Sequence, residues 1–192
     1  MRILDAGGQP PEVVTVSEFK AATPLADSPD FDTAIAAQIA AATATVEDAT
    51  RRPLAVRAVE ILAPVTTGQG WRRWWFPAAP VAAVTAVAVW SDGGWVDLDP
   101  GDWVLESAHD EPQLVLAESV RAVFGGAAIR VQANLGHASG QIPQPLKQAV
   151  ILIAQEWHMA GAGLGDTVPE VRSFAAHALI RQQRYSRPRV CV

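Results

Sequence analysis

Residues 142–158 read IPQPLKQAVILIAQEWH. Pro143 and Pro145 fit the entrance of a helix, where a missing backbone N–H costs nothing because the first turn has no partner for it. Behind them Leu146, Val150, Ile153 and Trp157 recur at steps of four, three and four, which is one face of an α-helix. Lys147, Gln148, Gln155 and Glu156 mostly take the other side, and Ala149 and Ala154 leave room for a neighbouring helix. The spacing predicts a core helix on which the other elements must pack. It carries no chemistry of its own.

Two further helices are expected at the start of the chain. Thr15 and Glu18 in VTVSEFK form a capping-box pattern, each able to satisfy an orphan N–H at the helix start. Thr23-Pro24 stops that helix. Asp27-Ser28-Pro29-Asp30 is a second start, with a capping side chain, a proline in the first turn and acids at the positive end of the dipole. A long Ala-rich helix follows to Arg52, with Phe31, Ile35, Ile39, Ala42 and Val46 on one stripe. Arg51 and Arg52 suit its C-terminal end, and Pro53 terminates it.

The pattern then changes from helical to alternating. Residues 54–62 suggest a strand with one slip. A loop with Gly68 and Gly70 leads into Trp71-Arg72-Arg73-Trp74-Trp75-Phe76-Pro77, and residues 81–90 are apolar and rich in β-branched side chains. Ser91-Asp92-Gly93-Gly94 signals a hairpin turn and Asp99-Pro100-Gly101-Asp102 another turn. Residues 103–105, 113–116 and 127–135 supply further short strands. Short strands at this spacing read as an antiparallel sheet folded on itself, a small sandwich or barrel.

After the 136–140 loop and the core helix, Gly161-Ala162-Gly163-Leu164-Gly165 is a stop and connector. A last helix is expected from Val168-Pro169-Glu170, with Val171, Phe174, Ala178 and Leu179 inward. The tail from Arg181, RQQRYSRPRVCV, has four arginines and no acid; it reads as extended and exposed. The expectation is therefore α+β. Residues 1–53 plus 141–192 make a discontinuous helical bundle with an extended C-terminal tail, and residues 54–140 form an inserted antiparallel β sandwich or barrel-like domain.

Composition narrows the function classes. The 192-residue chain has a net charge of −5, so bulk electrostatics does not favour nucleic-acid binding. Its one cysteine, Cys191, excludes an internal disulfide framework and suits a reducing compartment. The start has no basic segment followed by an apolar core, so no signal peptide is expected. Apolar runs fall short of a membrane span. A soluble protein made in the cytoplasm is the expectation.

Catalytic patterns are weak throughout. His109, His137, His158 and His177 stand in no metal-ligand spacing, and they read as surface or loop histidines. Gly136-His137-Ala138-Ser139-Gly140 misses the nucleophile-elbow spacing. The 161–165 glycines follow a helix, whereas a dinucleotide fingerprint must follow a strand. Asp97 with Asp99, and Asp110 with Glu111, fall at turns where Asp bonds its own backbone. No enzyme activity, catalytic residue, metal or cofactor is expected; a hydrolase on His137 or His109 is the weakest of the readings weighed.

Two features exceed that background. Six of the seven tryptophans lie in the β segment: Trp71, Trp74, Trp75, Trp90, Trp95 and Trp103. Trp90 and Trp103 are expected in the core. WRRWW cannot all face inward in a small sheet, and tryptophan with arginine is the composition of interface hot spots. Trp71, Arg72, Arg73, Trp74 and Trp75 are thus candidates for subunit contact, or for stacking on carbohydrate or single-stranded nucleic acid. The arginine tail is either a solvated end or a segment that orders on an acidic partner.

The order of motifs resembles the head–tail connector, or adaptor, proteins of long-tailed phages and the related gene transfer agents. It runs VSEFKAA, DSPDFD, ATRRPL, FPAAPVAAVTAVAVWSDGGW, DPGDWVLE and IPQPLKQAVILIAQEWH, with IPQPLKQA and the P-x-x-P-V segment at 77–81 the most specific; WRRWW lies outside the pattern. The resemblance spans roughly residues 14–184. It implies a structural virion or transfer-particle component at the head–tail junction. Such a protein forms a homo-oligomeric ring, usually a dodecamer, beneath the portal, extends the DNA channel and offers a platform for the stopper and tail. It implies portal binding by the terminal segment, carried here onto Arg184, Tyr185, Arg187 and Arg189. An acidic chain suits a lumen that DNA crosses without sequence-specific binding, because phosphate is repelled. A ring subunit needs two different adhesive surfaces, and the Ala-rich helix face and the Trp-rich insertion are candidates. The alternative is a β-domain binding module in which the Trp/Arg cluster takes carbohydrate or single-stranded nucleic acid.

Overall fold

A computed structural model describes residues 2–5, 12–23, 29–63, 73–107, 111–124, 127–161 and 173–186. The chain divides into a helical unit, residues 11–55 and 139–184, and a β unit, residues 1–10, 56–138 and 185–192.

The helical unit is built on the local signals. In α1 (Val16–Ala22), the Thr15 hydroxyl accepts from the Glu18 N–H at 3.1 Å and the Glu18 carboxylate accepts from the Thr15 N–H at 2.9 Å. Helix α2 (Asp32–Thr50) follows a 3-10 turn over Pro29–Phe31 and buries Ile35, Ile39, Ala42 and Val46. It ends at Arg51, whose φ of 57° is left-handed, and Pro53 precludes continuation. Phe31, expected on the inner stripe, is 57% exposed. The helix starts one residue later, so Phe31 is its N-cap with φ −101° and ψ 0°, out of phase with the stripe. The Asp27 and Ser28 caps lie outside the described residues.

Leu146, Ala149, Val150, Ile153, Ala154 and Trp157 of the core helix (Gln144–Met159) are all buried. They share one apolar cluster with the α2 stripe and with Val13, Val14, Phe19 and Leu54. The last helix of the unit (Phe174–Gln183) starts at Ser173, whose hydroxyl accepts from the Ala176 N–H. Both oxygens of Glu156 accept from the Ser173 N–H at 3.1 Å, so a carboxylate sits at the positive end of this helix. Ala176 and Ile180 face inward, with Leu179 beside them. Phe174 is instead 90% exposed: two residues from Ala176 is about half a turn, which puts it on the opposite side. The expected start at 168–170 and Val171 lie outside the described residues.

The β unit contains a five-stranded and a three-stranded antiparallel sheet. The first has the order β1 (Arg2–Asp5), β2 (Arg57–Leu62), β8 (Ile129–Leu135), β4 (Val81–Ser91), β5 (Gly94–Asp97). The second runs β3 (Arg73–Trp75), β7 (Gln113–Leu116), β6 (Trp103–Glu106). Strand alternation sends Val59, Ile61, Val87, Val89, Ile129, Val131, Ala133 and Leu135 to one face, where they meet Phe76, Leu114 and Leu116 in a single core. Asp92 and Gly93, at φ 50° and 82°, form the two-residue turn between β4 and β5. The Asp102 N–H donates to the Asp99 carbonyl at 2.8 Å, closing the other expected turn.

Two elements differ from expectation. Residues 2–5 pair with β2 at the sheet edge rather than joining the helices, and a short helix, α3 (Glu118–Phe124), interrupts the strands and buries Val120 in the β core. The sheets form no closed barrel: β1 and β5 are edges of one sheet, β3 and β6 of the other.

Candidate functional site

The tryptophans separate according to strand phase. On the three-stranded sheet Trp74 lies opposite Leu114 and turns inward, with its ring edge-on to Phe76 at 4.7 Å between centroids. Arg73 and Trp75 point to the outer face. Trp75 sits opposite Gln113, which in turn faces Glu106. The Arg73 guanidinium reaches across to Glu106 at 2.6 Å and to the Gln113 side-chain oxygen at 3.0 Å. Trp75 is half-buried and its indole nitrogen is enclosed. Of the WRRWW cluster, then, Trp74 is core and Arg73 is committed within its own sheet. These three side chains do not form an open stacking platform. Trp71 and Arg72 lie outside the described residues.

Of the two tryptophans expected in the core, Trp103 packs against it and Trp90 does not. Val87 and Val89 face inward, so Trp90 must face outward, and it is 44% exposed. It pairs directly with Trp95 across the hairpin, edge-on at 5.3 Å. One step along the strands, Ala88 lies between Asp97 on β5 and Arg130 on β8. The small Ala88 side chain lets the Arg130 guanidinium approach Asp97 at 3.7 Å while lying 5.0 Å from the Trp95 ring centroid. An aromatic pair, a guanidinium and a carboxylate thus share the outer face of the larger sheet. The alternation of β4 carried this information; the size of the indole ring pointed the wrong way.

The C-terminal segment is held more firmly than its composition implies. Residues 181–183 complete the last helix, and the Gln183 carbonyl accepts from Arg52 Nε at 2.7 Å. Tyr185 is 2% exposed, correcting the expectation of an extended, exposed tail at this point, and its hydroxyl donates to the Phe76 carbonyl at 3.0 Å. Arg184 and Ser186 are exposed on either side. Arg187 and Arg189 lie outside the described residues.

Among the described residues no group of three His, Cys, Asp or Glu is placed to hold a metal ion, and no helix is long and apolar enough to cross a membrane. His137, at the end of the larger sheet, gives its carbonyl to the Val56 N–H, and His158 Nδ1 lies 3.1 Å from Gln38 Oε1. The Thr15 N–H holds the Glu18 carboxyl below its usual value, with Lys147 at 3.4 Å adding to the effect.

No protein-family model matches the sequence, and no curated protein does. Solved structures do match. A chain from the neck of an empty GTA particle computed with C6 symmetry is similar at 24% identity and a TM-score of 0.73. A chain from the virion of a native gene transfer agent (GTA) particle is similar at 23% identity and 0.76. A third, from the neck of a native GTA particle computed with C12 symmetry, is similar at 22% and 0.73. Each match covers 99% of this chain and 98% of the other. From end to end, this chain has the α+β fold of chains that build those particles.

Proposed function

We propose that this protein is a non-enzymatic head–tail connector subunit of a gene transfer agent or phage-like particle. It assembles as a ring, of twelve copies in the finer reading, between a portal protein and a stopper or tail-proximal protein, and DNA passes through the lumen. The observation that carries this reading is the full-length correspondence with neck chains: both units, in one order, over 99% of the residues. An independent domain reused elsewhere would match in part. The symmetric necks support the ring, because a rotational ring requires many copies of one chain.

The carbohydrate or nucleic-acid reading of WRRWW gains nothing from the inward Trp74 and the engaged Arg73. The test of the connector reading is quantitative mass spectrometry of tailed particles purified from the source cells. A constant low copy number, retained with the portal after the tail is stripped, is the expected result. A protein abundant in the cytosol and absent from particles overturns the proposal.

A further inference from the structure

Among the described residues, the exposed arginines of the helical unit gather at one end. Arg51 caps α2, Arg181 lies in the last turn of the final helix, and Arg184 is that helix's C-cap. Arg52 Nε donates to the Gln183 carbonyl at 2.7 Å, which brings the two helix ends together. Helix C-termini carry partial negative charge, and Arg52 answers it through that bond. The guanidinium groups of Arg51, Arg181 and Arg184 have no such partner among the described residues. Lys20, Arg73, Arg130 and Lys147, by contrast, each face a carboxylate. In a chain of net charge −5, this end is a local reversal of sign.

The β unit carries a surface of the complementary character. On the outer face of the β4–β5 hairpin, Trp90 is nearly half exposed and pairs with Trp95. Asp97 lies two residues further along β5, and Asp99 opens the turn beyond it; both are exposed. This face already holds one guanidinium, since Arg130 lies 5.0 Å from the Trp95 ring centroid and 3.7 Å from Asp97. Phosphate would meet carboxylates here. A second guanidinium would find the open Trp90 ring and the Asp99 carboxylate, and its planar group stacks on an indole in a way that an ammonium does not.

We propose that the arginine end of the helical unit in one copy docks on the Trp90 hairpin face of the next copy, with Arg51 and Arg181 meeting Trp90, Asp97 and Asp99. The proposal rests on the ring reading, in which each subunit needs two unlike surfaces to close by rotation. Here the two surfaces differ in sign, so each attracts the other and repels its own kind, which sets one direction of pairing round the ring. The contact uses nothing beyond the final helix and leaves the terminal segment to the portal.

The test is made on the full chain in particles, with Cys191→Ser removing its only native thiol. In that background Arg51→Cys with Asp99→Cys, treated with a short bismaleimide, should link this chain into a ladder of dimers, trimers and higher rungs. Either cysteine alone should leave it monomeric on a denaturing gel. No ladder in particles of normal copy number, a bond within one chain or to another protein in its place, or dimers from a single cysteine overturns the docking. Absence of the unsubstituted chain from particles overturns the connector reading beneath it instead. A charge exchange gives a second readout: Arg51→Glu with Arg181→Glu should lower particle incorporation about tenfold, as should Asp97→Arg with Asp99→Arg. The two pairs combined should restore incorporation, which a folding defect would not do. A combined variant no better than either pair overturns the docking.

Discussion

The Tyr185 hydroxyl and the Phe76 carbonyl, 109 positions apart in the chain, form an enclosed hydrogen bond of 3.0 Å. Removing the hydroxyl leaves a buried acceptor without its donor, so Tyr185→Phe is expected to cost about 1–2 kcal/mol. Tyr185→Ala also empties the ring's place in the core and is expected to cost about 3–5 kcal/mol. Urea unfolding of the two variants checks both values. A Tyr185→Phe midpoint equal to the parent's would show that the bond adds no net stability.

Glu18 gives a pH signature with a definite sign. Its folded-state pKa lies below its ordinary value of 4.5, chiefly through the Thr15 N–H. The carboxylate therefore stabilises the fold fully above that ordinary value, and the contribution is lost as pH falls through the folded-state pKa. Glu18 is largely exposed, so the effect is small. Comparing urea midpoints of the parent and Glu18→Gln from pH 7 to pH 3 should show a gap at pH 7 that closes on acidification. A gap constant with pH would rule out the carboxylate as its source.

The turn at Gly93 separates backbone strain from crowding. A Cβ placed there meets nothing within 4 Å, yet φ is 82°. Gly93→Ala should therefore cost about 1–2 kcal/mol through backbone conformation alone. Gly93→Asn, a residue that tolerates this region, should recover part of the loss in thermal unfolding.

Ile153 is fully buried in the helical core. Ile153→Ala is expected to cost about 2–5 kcal/mol, whereas Gln148→Ala on the exposed side should change stability by less than about 0.5 kcal/mol. Equal effects would contradict the assigned helix phase.

What was legible in the sequence was local. The capping box at Thr15 and Glu18, the Asp92-Gly93 turn and the stripe from Leu146 to Trp157 each declare themselves within a few residues, because caps, turns and helical faces are short-range. Arg2–Asp5 is a strand only because the edge of β2 offers it hydrogen-bond partners. Tyr185 looks like part of a solvated arginine tail until the Phe76 carbonyl is brought to it. Trp90 and Phe174 followed the phase of their elements rather than their own hydrophobicity, since the inward positions belonged to Val89 and Ala176. Among the tryptophans, WRRWW draws attention by composition, while among the described residues the most open indole belongs to the hairpin.

The chain passes between its two units four times, at residues 10/11, 55/56, 138/139 and 184/185. During synthesis, α1 and α2 are made well before Leu146, Ile153 and Trp157, which complete their apolar surface more than ninety residues later. The strands of residues 56–138 likewise precede Tyr185, whose hydroxyl bonds the Phe76 carbonyl. The helical core therefore cannot close until the β segment between its two halves has been made, in contrast to proteins whose domains are completed one after another along the chain. The β core instead draws on residues 59–135 alone, so the inserted unit can collapse before the helical unit that flanks it in sequence has both of its halves.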